Sequence, residues 1–104
     1  MAKTATILSG ATTSDEIRLG GFQLRGVEVP TIDTGDITFT VSSDGTTFRT
    51  LKTPGGDTYT LVAGTGNAVF VVDPNAFRGL QFLKLVAATQ SADRTIKLLI
   101  SADD

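Results

Sequence analysis

A chain of 104 residues and 10.9 kDa can build one hydrophobic core, which predicts a single domain. It contains no cysteine and no histidine, which excludes disulfides, thiolate chemistry and the usual general base and transition-metal ligands. Its nine Lys and Arg residues are scattered along a chain of net charge −2, which argues against nucleic-acid binding. We therefore expect neither an enzyme nor a nucleic-acid-binding protein.

The N-terminal region carries one short apolar segment, "ATIL" at residues 5–8. It is too short for a signal-peptide core or a membrane span, so we expect a soluble protein without membrane contact. The remaining residues of 1–14 are small and polar, which predicts a flexible arm that becomes ordered against a neighbour. The predicted sandwich domain then covers residues 15–104.

Abundant threonine and valine, with alternating apolar and polar residues, predict an all-β protein. Regularly spaced Gly, Asp, Pro and Asn turn signals favour a β-sandwich or a barrel. The nine predicted strands cover residues 3–9, 15–19, 22–28, 36–43, 46–52, 57–63, 68–72, 80–88 and 94–101.

Residues 37–51, "ITFTVSSDGTTFRTL", predict a β-hairpin. Ile37, Phe39 and Val41 fall on one face of the first strand because successive side chains alternate. Asp44 and Gly45 supply a tight turn, and Phe48 is expected to resume the buried row.

Two later segments, residues 68–72 and 80–88, are nearly continuous in apolar residues, which predicts central strands or strands covered on both faces. If Leu83 and Leu85 face the core, then Phe82, Lys84 and Val86 face outward. That outward row is either a contact surface for a partner or a face covered by a loop or by the N-terminal arm.

Between these strands, "DPNAFRG" at residues 73–79 predicts one short helical turn near residues 74–78. Pro74 suits the first helical position and Gly79 suits the end. Phe77 is then expected to close one end of the sandwich.

Acidic residues occur mainly in turns, namely Asp33, Asp36, Asp44 and Asp57. Converging loops could bring them together on calcium, but their spacing lacks the dense pattern of a calcium loop, and Asp in turns commonly caps the backbone. Carboxylates such as Glu16 and Glu28 could form the acid/base pair of a glycosidase. We do not expect this activity, because a chain with no Trp and a single Tyr cannot form an aromatic-rich sugar groove. We therefore expect no catalytic, metal or cofactor site.

The segments "SGATTSDEIRLGGFQLRGVEVP", "TGDITFTVSSDGTTFRTL" and "VDPNAFRGLQFLKLVAATQSADRTIKLLI" resemble a family of small bacteriophage proteins encoded among virion genes. The stretch from "DPNAF" to "RGLQFLKL" is also similar to the late strands of galactose-binding-like jelly rolls. The resemblance implies an antiparallel, jelly-roll or galactose-binding-like sandwich in a capsid decoration or cement protein.

Such a protein would lie on the virion surface after assembly in the host cytoplasm. Its expected partners are the major capsid protein and copies of itself, with a homotrimer as the family analogy. Arginine is enriched at interfaces, which adds five candidates: Arg18, Arg25, Arg49, Arg78 and Arg94. The predicted interface consists of Thr4, Ile7, Leu8, Arg18, Arg25, Phe82 and Lys84. The alternative function is a carbohydrate- or receptor-binding module of a tail fibre or baseplate.

Overall fold

The computed structural model describes residues 2–20, 22–73, 77 and 80–102. The predicted all-β class is confirmed, since each of the nine predicted strands overlaps an observed one. The strands are β1 Ala2–Ile7, β2 Ile17–Arg18, β3 Phe22–Thr31, β4 Ile37–Ser42, β5 Arg49–Thr50, β6 Thr60–Leu61, β7 Gly66–Val71, β8 Phe82–Val86 and β9 Arg94–Ala102. Apart from Phe77, the predicted helical turn lies outside the described residues.

The strands form two antiparallel sheets packed face to face. The first, sheet A, has the order β1-β9-β3-β7, and the second, sheet B, has the order β2-β8-β4-β5 with β6 also paired to β4. The chain alternates between the two sheets from β1 to β4, and again from β7 to β9. The predicted antiparallel β-sandwich is thus confirmed.

Apolar side chains from the inward faces of both sheets fill the space between them, as strand alternation requires. Leu24 and Leu98 from sheet A and Leu83 from sheet B are fully buried. At one side of this core, the Phe77 ring lies 5.1 Å from the Phe39 ring and 5.4 Å from the Tyr59 ring, centre to centre. Phe77 is buried, as expected for a residue that closes the core. No helix that could cross a membrane occurs among the described residues.

The N-terminal segment differs from the expected arm. Residues 2–7 form β1, which pairs with β9 along its whole length, from Ala2 opposite Leu99 to Ile7 opposite Arg94. Ala5 and Ile7 point into the core and are fully buried. Two buried apolar side chains stabilise this strand in the sandwich, because its backbone N–H and C=O groups are also hydrogen-bonded to β9.

The predicted central position of residues 68–72 is wrong. The corresponding strand, β7, is the last strand of sheet A and pairs only with β3 among the described strands. Its residues Val69 and Val71 are exposed at 55% and 87%. By contrast, β8 is central in sheet B, between β2 and β4, with Leu83 and Leu85 buried as predicted.

The hairpin after β4 has the predicted turn and a shorter second strand. Gly45 adopts a φ of 79°, which a glycine reaches without strain. The returning strand β5 contains only Arg49 and Thr50. Phe48 lies before it and packs on the outer face of sheet B, so the prediction that Phe48 rejoins the core is wrong.

Candidate interaction surfaces

The outer face of sheet B carries the predicted row of Phe82, Lys84 and Val86. Their cross-strand neighbours on β4 are Ser42, Thr40 and Thr38 in that order. Leu83 and Leu85, between them, face the core and are fully buried. The three outward side chains are half-buried, because neighbouring segments lie over them.

The Arg18 side chain and the turn at Gly45 cover Phe82, and the Phe48 ring covers Lys84. The Arg18 guanidinium lies 5.8 Å from the centre of the Phe82 ring, and the Lys84 ammonium lies 4.3 Å from the centre of the Phe48 ring. A Cβ atom placed on Gly45 would lie 3.3 Å from the Phe82 ring, so the turn passes directly above it. Of the two interpretations of this row, the structure therefore favours coverage by a loop.

The N-terminal candidates separate into buried and exposed residues. Ile7 is fully buried, so it cannot contact a partner while the sandwich is intact, and its place in the predicted interface is wrong. Leu8, the next residue, is 59% exposed, and Thr4 is exposed on the outer face of β1. Arg25 is exposed on β3 and donates a hydrogen bond from Nε to Ser101 Oγ at 2.8 Å.

The outer face of sheet A holds an apolar edge that sequence reasoning missed. Val69 and Val71 point outward from β7, opposite Glu28 and Gly26 of β3. Glu28 also approaches Lys97 of β9, with 4.0 Å between Oε2 and Nζ. A shallow groove of about 450 Å³ runs beside Val69, Glu28 and Lys97. An apolar run looks the same in a central strand and in an exposed edge strand, so the pattern contained no signal for this surface.

A polar network joins the β3–β4 loop, the β8–β9 loop and the first residue of β9 at one end of the sandwich. Asp33 Oδ1 accepts hydrogen bonds from Ser91 N and Oγ and from Arg94 Nη2, at 2.9 to 3.0 Å. The Ser91 amide, followed by Arg94, holds the pKa of Asp33 below its ordinary value of 3.8. Gln90 is 1% exposed, and its Oε1 accepts the Asp33 N–H at 2.9 Å. Asp33 and Arg94 thus act here as structural links between loops.

The turn after β4 lines a second shallow groove, of about 310 Å³. Asp44 Oδ1 accepts the Thr46 and Thr47 N–H groups at 2.8 and 3.0 Å and the Ser42 hydroxyl at 2.8 Å. These hydrogen bonds, the one from Thr46 first, lower the pKa of Asp44 to about 2. The groove therefore contains a carboxylate that is ionised at neutral pH, together with the Arg49 side chain.

The four turn aspartates do not assemble on one site. The Asp33 carboxylate accepts hydrogen bonds from Ser91 in another loop, whereas the Asp44 carboxylate accepts hydrogen bonds within its own turn. Within the described ranges, no three Asp or Glu residues come close enough to hold a metal ion.

Comparison with solved structures shows that the chain shares its fold with a prophage-derived protein. The crystal structure of the SPBc2 prophage-derived protein YomS superposes with a TM-score of 0.60, covering 97% of this chain and 94% of that one. The two sequences are 18% identical, so the likeness establishes a shared fold. No protein-family model matches the chain, and no curated protein matches it in sequence.

Proposed function

We propose that this chain is a bacteriophage virion structural protein, a decoration or cement protein that binds neighbouring major capsid subunits. The observation that carries the proposal is the likeness to a prophage-derived protein over nearly the whole of both chains. The sequence resemblance to small phage virion proteins points the same way. Both concern the complete sandwich, so the proposal applies to the whole domain.

The order of the strands supports this role. Over β1–β4 and β7–β9 the chain alternates between a four-stranded and a five-stranded sheet. Such alternation is a feature of jelly rolls, a fold typical of viral capsid and lectin domains, and it supports the proposal. Its function would then lie in its surfaces, since fold alone does not assign a task. A cement protein stabilises a shell by burying surface against subunits that are already assembled.

Exposed side chains beside β1 and β2 supply the proposed capsid contact. Leu8 offers an apolar side chain that is 59% exposed, Thr4 is exposed on the outer face of β1, and Arg18 is exposed on β2. Lys3 Nζ donates to the Arg18 carbonyl at 2.5 Å and so ties these two strands together. Weak contacts of this kind would become strong attachment when many copies bind a symmetric shell.

A second candidate function is recognition of a carbohydrate or receptor from a tail fibre or baseplate. The groove beside Ser42, Asp44, Arg49 and Leu80 favours it, because hydroxyl and charged groups stand next to apolar surface. Such mixed lining suits sugar hydroxyls and the faces of sugar rings.

The copy number in purified phage particles distinguishes these functions. Quantitative mass spectrometry would measure the ratio of this chain to the major capsid protein. We expect a simple lattice fraction for a cement protein, whereas a few copies per particle would support the tail alternative. Absence from particles would overturn both.

A variant tests the proposed contact itself. Leu8→Glu should reduce occupancy on decorated particles, because it places a charge in the apolar contact. Val62→Glu, at a valine that is 78% exposed elsewhere on the sandwich, is the matched control and should bind normally. Equal occupancy of the two variants would exclude Leu8 from the interface.

A further inference from the structure

The strand β7 presents an open backbone edge. The Val72 N–H donates to the Arg25 carbonyl at 3.2 Å, so residue 72 directs its backbone groups toward β3. Because these groups alternate in direction along a strand, the N–H and C=O groups of Val69 and Val71 point away from β3. No hydrogen bond from any described residue reaches this edge.

The opposite edge of the same sheet is protected. At β1, the Thr6 N–H donates to the Asp15 carboxylate at 2.8 Å, and the Asp15 N–H donates to the Thr6 carbonyl at 3.3 Å. A charged side chain that occupies an edge amide is a common defence against unwanted strand pairing. The chain therefore blocks one edge of sheet A and leaves the β7 edge able to accept another strand.

The sequence of the open edge is self-complementary in an antiparallel strand pair. Residues 66–72, "GNAVFVV", contain no charge, and Val69-Phe70-Val71 has the same order in both directions. Val69 and Val71 are exposed, and Phe70 between them is half-buried on the inner face. In an antiparallel pair, a palindromic segment meets identical residues across a two-fold axis.

We propose that β7 pairs antiparallel with β7 of a second copy of this chain, across a two-fold axis that passes beside Phe70. Val69 then lies opposite Val71 of the partner subunit, and each such pair exchanges both of its open backbone hydrogen bonds. Phe70 faces Phe70 of the partner subunit at the closer, non-hydrogen-bonded position. The two four-stranded sheets become one continuous sheet of eight strands.

The charges around this edge are compatible with the proposed register. On the outer face, Glu28 is the neighbour of Val69 and Gly26 is the neighbour of Val71. In the paired sheet, the row across the outer face therefore runs from Glu28 through Val69 to Val71 of the partner subunit and Gly26 of the partner subunit. No two like charges are neighbours in this row. Glu28 is also accompanied by Lys97 within its own chain. This self-association is a property of the isolated chain and does not depend on a role in the virion.

Sedimentation equilibrium of the purified chain tests the proposal. We expect reversible dimers of twice the 10.9 kDa chain mass. Val71→Lys should weaken the dimer by about tenfold or more, because it places a charge on the paired edge, and Leu8→Lys on the opposite side should not. A monomer at all concentrations, a trimer, or a dimer unaffected by Val71→Lys would overturn the proposal.

The backbone contribution can be tested separately. Val69→Pro removes an N–H that no described residue accepts, so the folded monomer should remain while the dimer is lost. Thermal melting of the monomer would show whether the fold has survived. If Val69→Pro unfolds the chain, Val71→Lys still tests the dimer, because the Val71 side chain is 87% exposed and its replacement should leave the monomer folded.

Cross-linking defines the register. The chain contains no cysteine, so Phe70→Cys introduces one thiol that faces its symmetry mate across the proposed axis. We expect mild oxidation to convert this variant to a covalent dimer, whereas Leu8→Cys should convert much more slowly. Equal rates of conversion for the two variants would overturn the register.

Discussion

The Lys84 ammonium lies 4.3 Å from the centre of the Phe48 ring, so a strand residue and a loop residue shield each other on the outer face of sheet B. This contact helps to shield the row of Phe82, Lys84 and Val86 from solvent. The cation is attracted to the electron-rich face of the ring, and the ring covers the aliphatic part of the lysine.

The Lys84–Phe48 pair should be energetically coupled. In a double-mutant cycle of Lys84→Ala and Phe48→Ala, we expect a coupling free energy of about 0.5–1 kcal/mol from urea unfolding. The Glu28–Lys97 pair is the control, because its two side chains are about half exposed at 49% and 56% and 4.0 Å apart. Its coupling should be smaller, since exposed ion pairs contribute little. A coupling near zero for Lys84 and Phe48 would show that the ring is not held over the ammonium.

Ile7 and Leu8 should respond very differently to truncation. Ile7→Ala removes a fully buried side chain and should lower the free energy of unfolding by about 2–5 kcal/mol. Leu8→Ala removes a side chain that is 59% exposed and should change it by about 0.5 kcal/mol or less. Denaturant titration measures both. Equal, small effects would restore the interpretation of residues 1–14 as a separable arm.

Asp44 should make the fold sensitive to acid. Its folded pKa of about 2 lies below the ordinary 3.8, so its contribution is complete above pH 3.8 and is lost as the pH falls toward about 2. Asp44→Asn should therefore flatten the stability profile in that window. The control is Asp36→Asn, which removes an exposed carboxylate from another turn. Thermal melting from pH 5 to 2 supplies the measurement, and an unchanged slope in Asp44→Asn would contradict the proposed capping role.

Gln90 should be the most sensitive residue of the loop network. Its amide accepts the Asp33 N–H and donates from Nε2 to the Ala88 carbonyl at 2.7 Å, and it is nearly inaccessible to water. Gln90→Ala leaves these partners unsatisfied and should cost about 1–3 kcal/mol of stability. Gln81→Ala, at an exposed glutamine, should be almost neutral. A neutral Gln90→Ala would mean that water replaces the amide without cost.

Local features of the chain were readable without the structure. Composition, apolar patterns and turn signals identified every strand region. Alternation separated Leu83 and Leu85 from Phe82, Lys84 and Val86 because neighbouring strand residues must face opposite sides, and the structure places the two leucines in the core. The turn at Gly45 followed from the need for a positive φ, which the structure has at 79°. Phe77 was correctly expected to be buried, since a large aromatic side chain beside a sandwich gains most by closing its core.

The candidate surfaces were predictable only in part. Arg18 was chosen as a contact residue, and its packing on Phe82 could not be inferred because the two lie 64 positions apart in sequence. Phe48 was predicted to lie in the core because the alternation of β4 was extended through the turn. In the structure, Phe48 instead packs against Lys84 on the outer face of sheet B. The valines of β7 were assigned to the interior because they belong to a nearly continuous apolar run, but hydropathy does not report how many neighbours a strand has.

The sequence alone determined the all-β class, the strand regions, the turn at Gly45 and the division of β4 and β8 residues between two faces. These depend on the side-chain period and on local backbone conformation, which are written in adjacent positions. The tertiary structure alone decided that β1 belongs to the sandwich, that β7 is an edge, and that Leu8 rather than Ile7 reaches solvent. Each of these depends on the pairing of strands that are distant in sequence, such as β1 with β9. Local sequence does not determine such pairing, because it results from the packing of the whole chain.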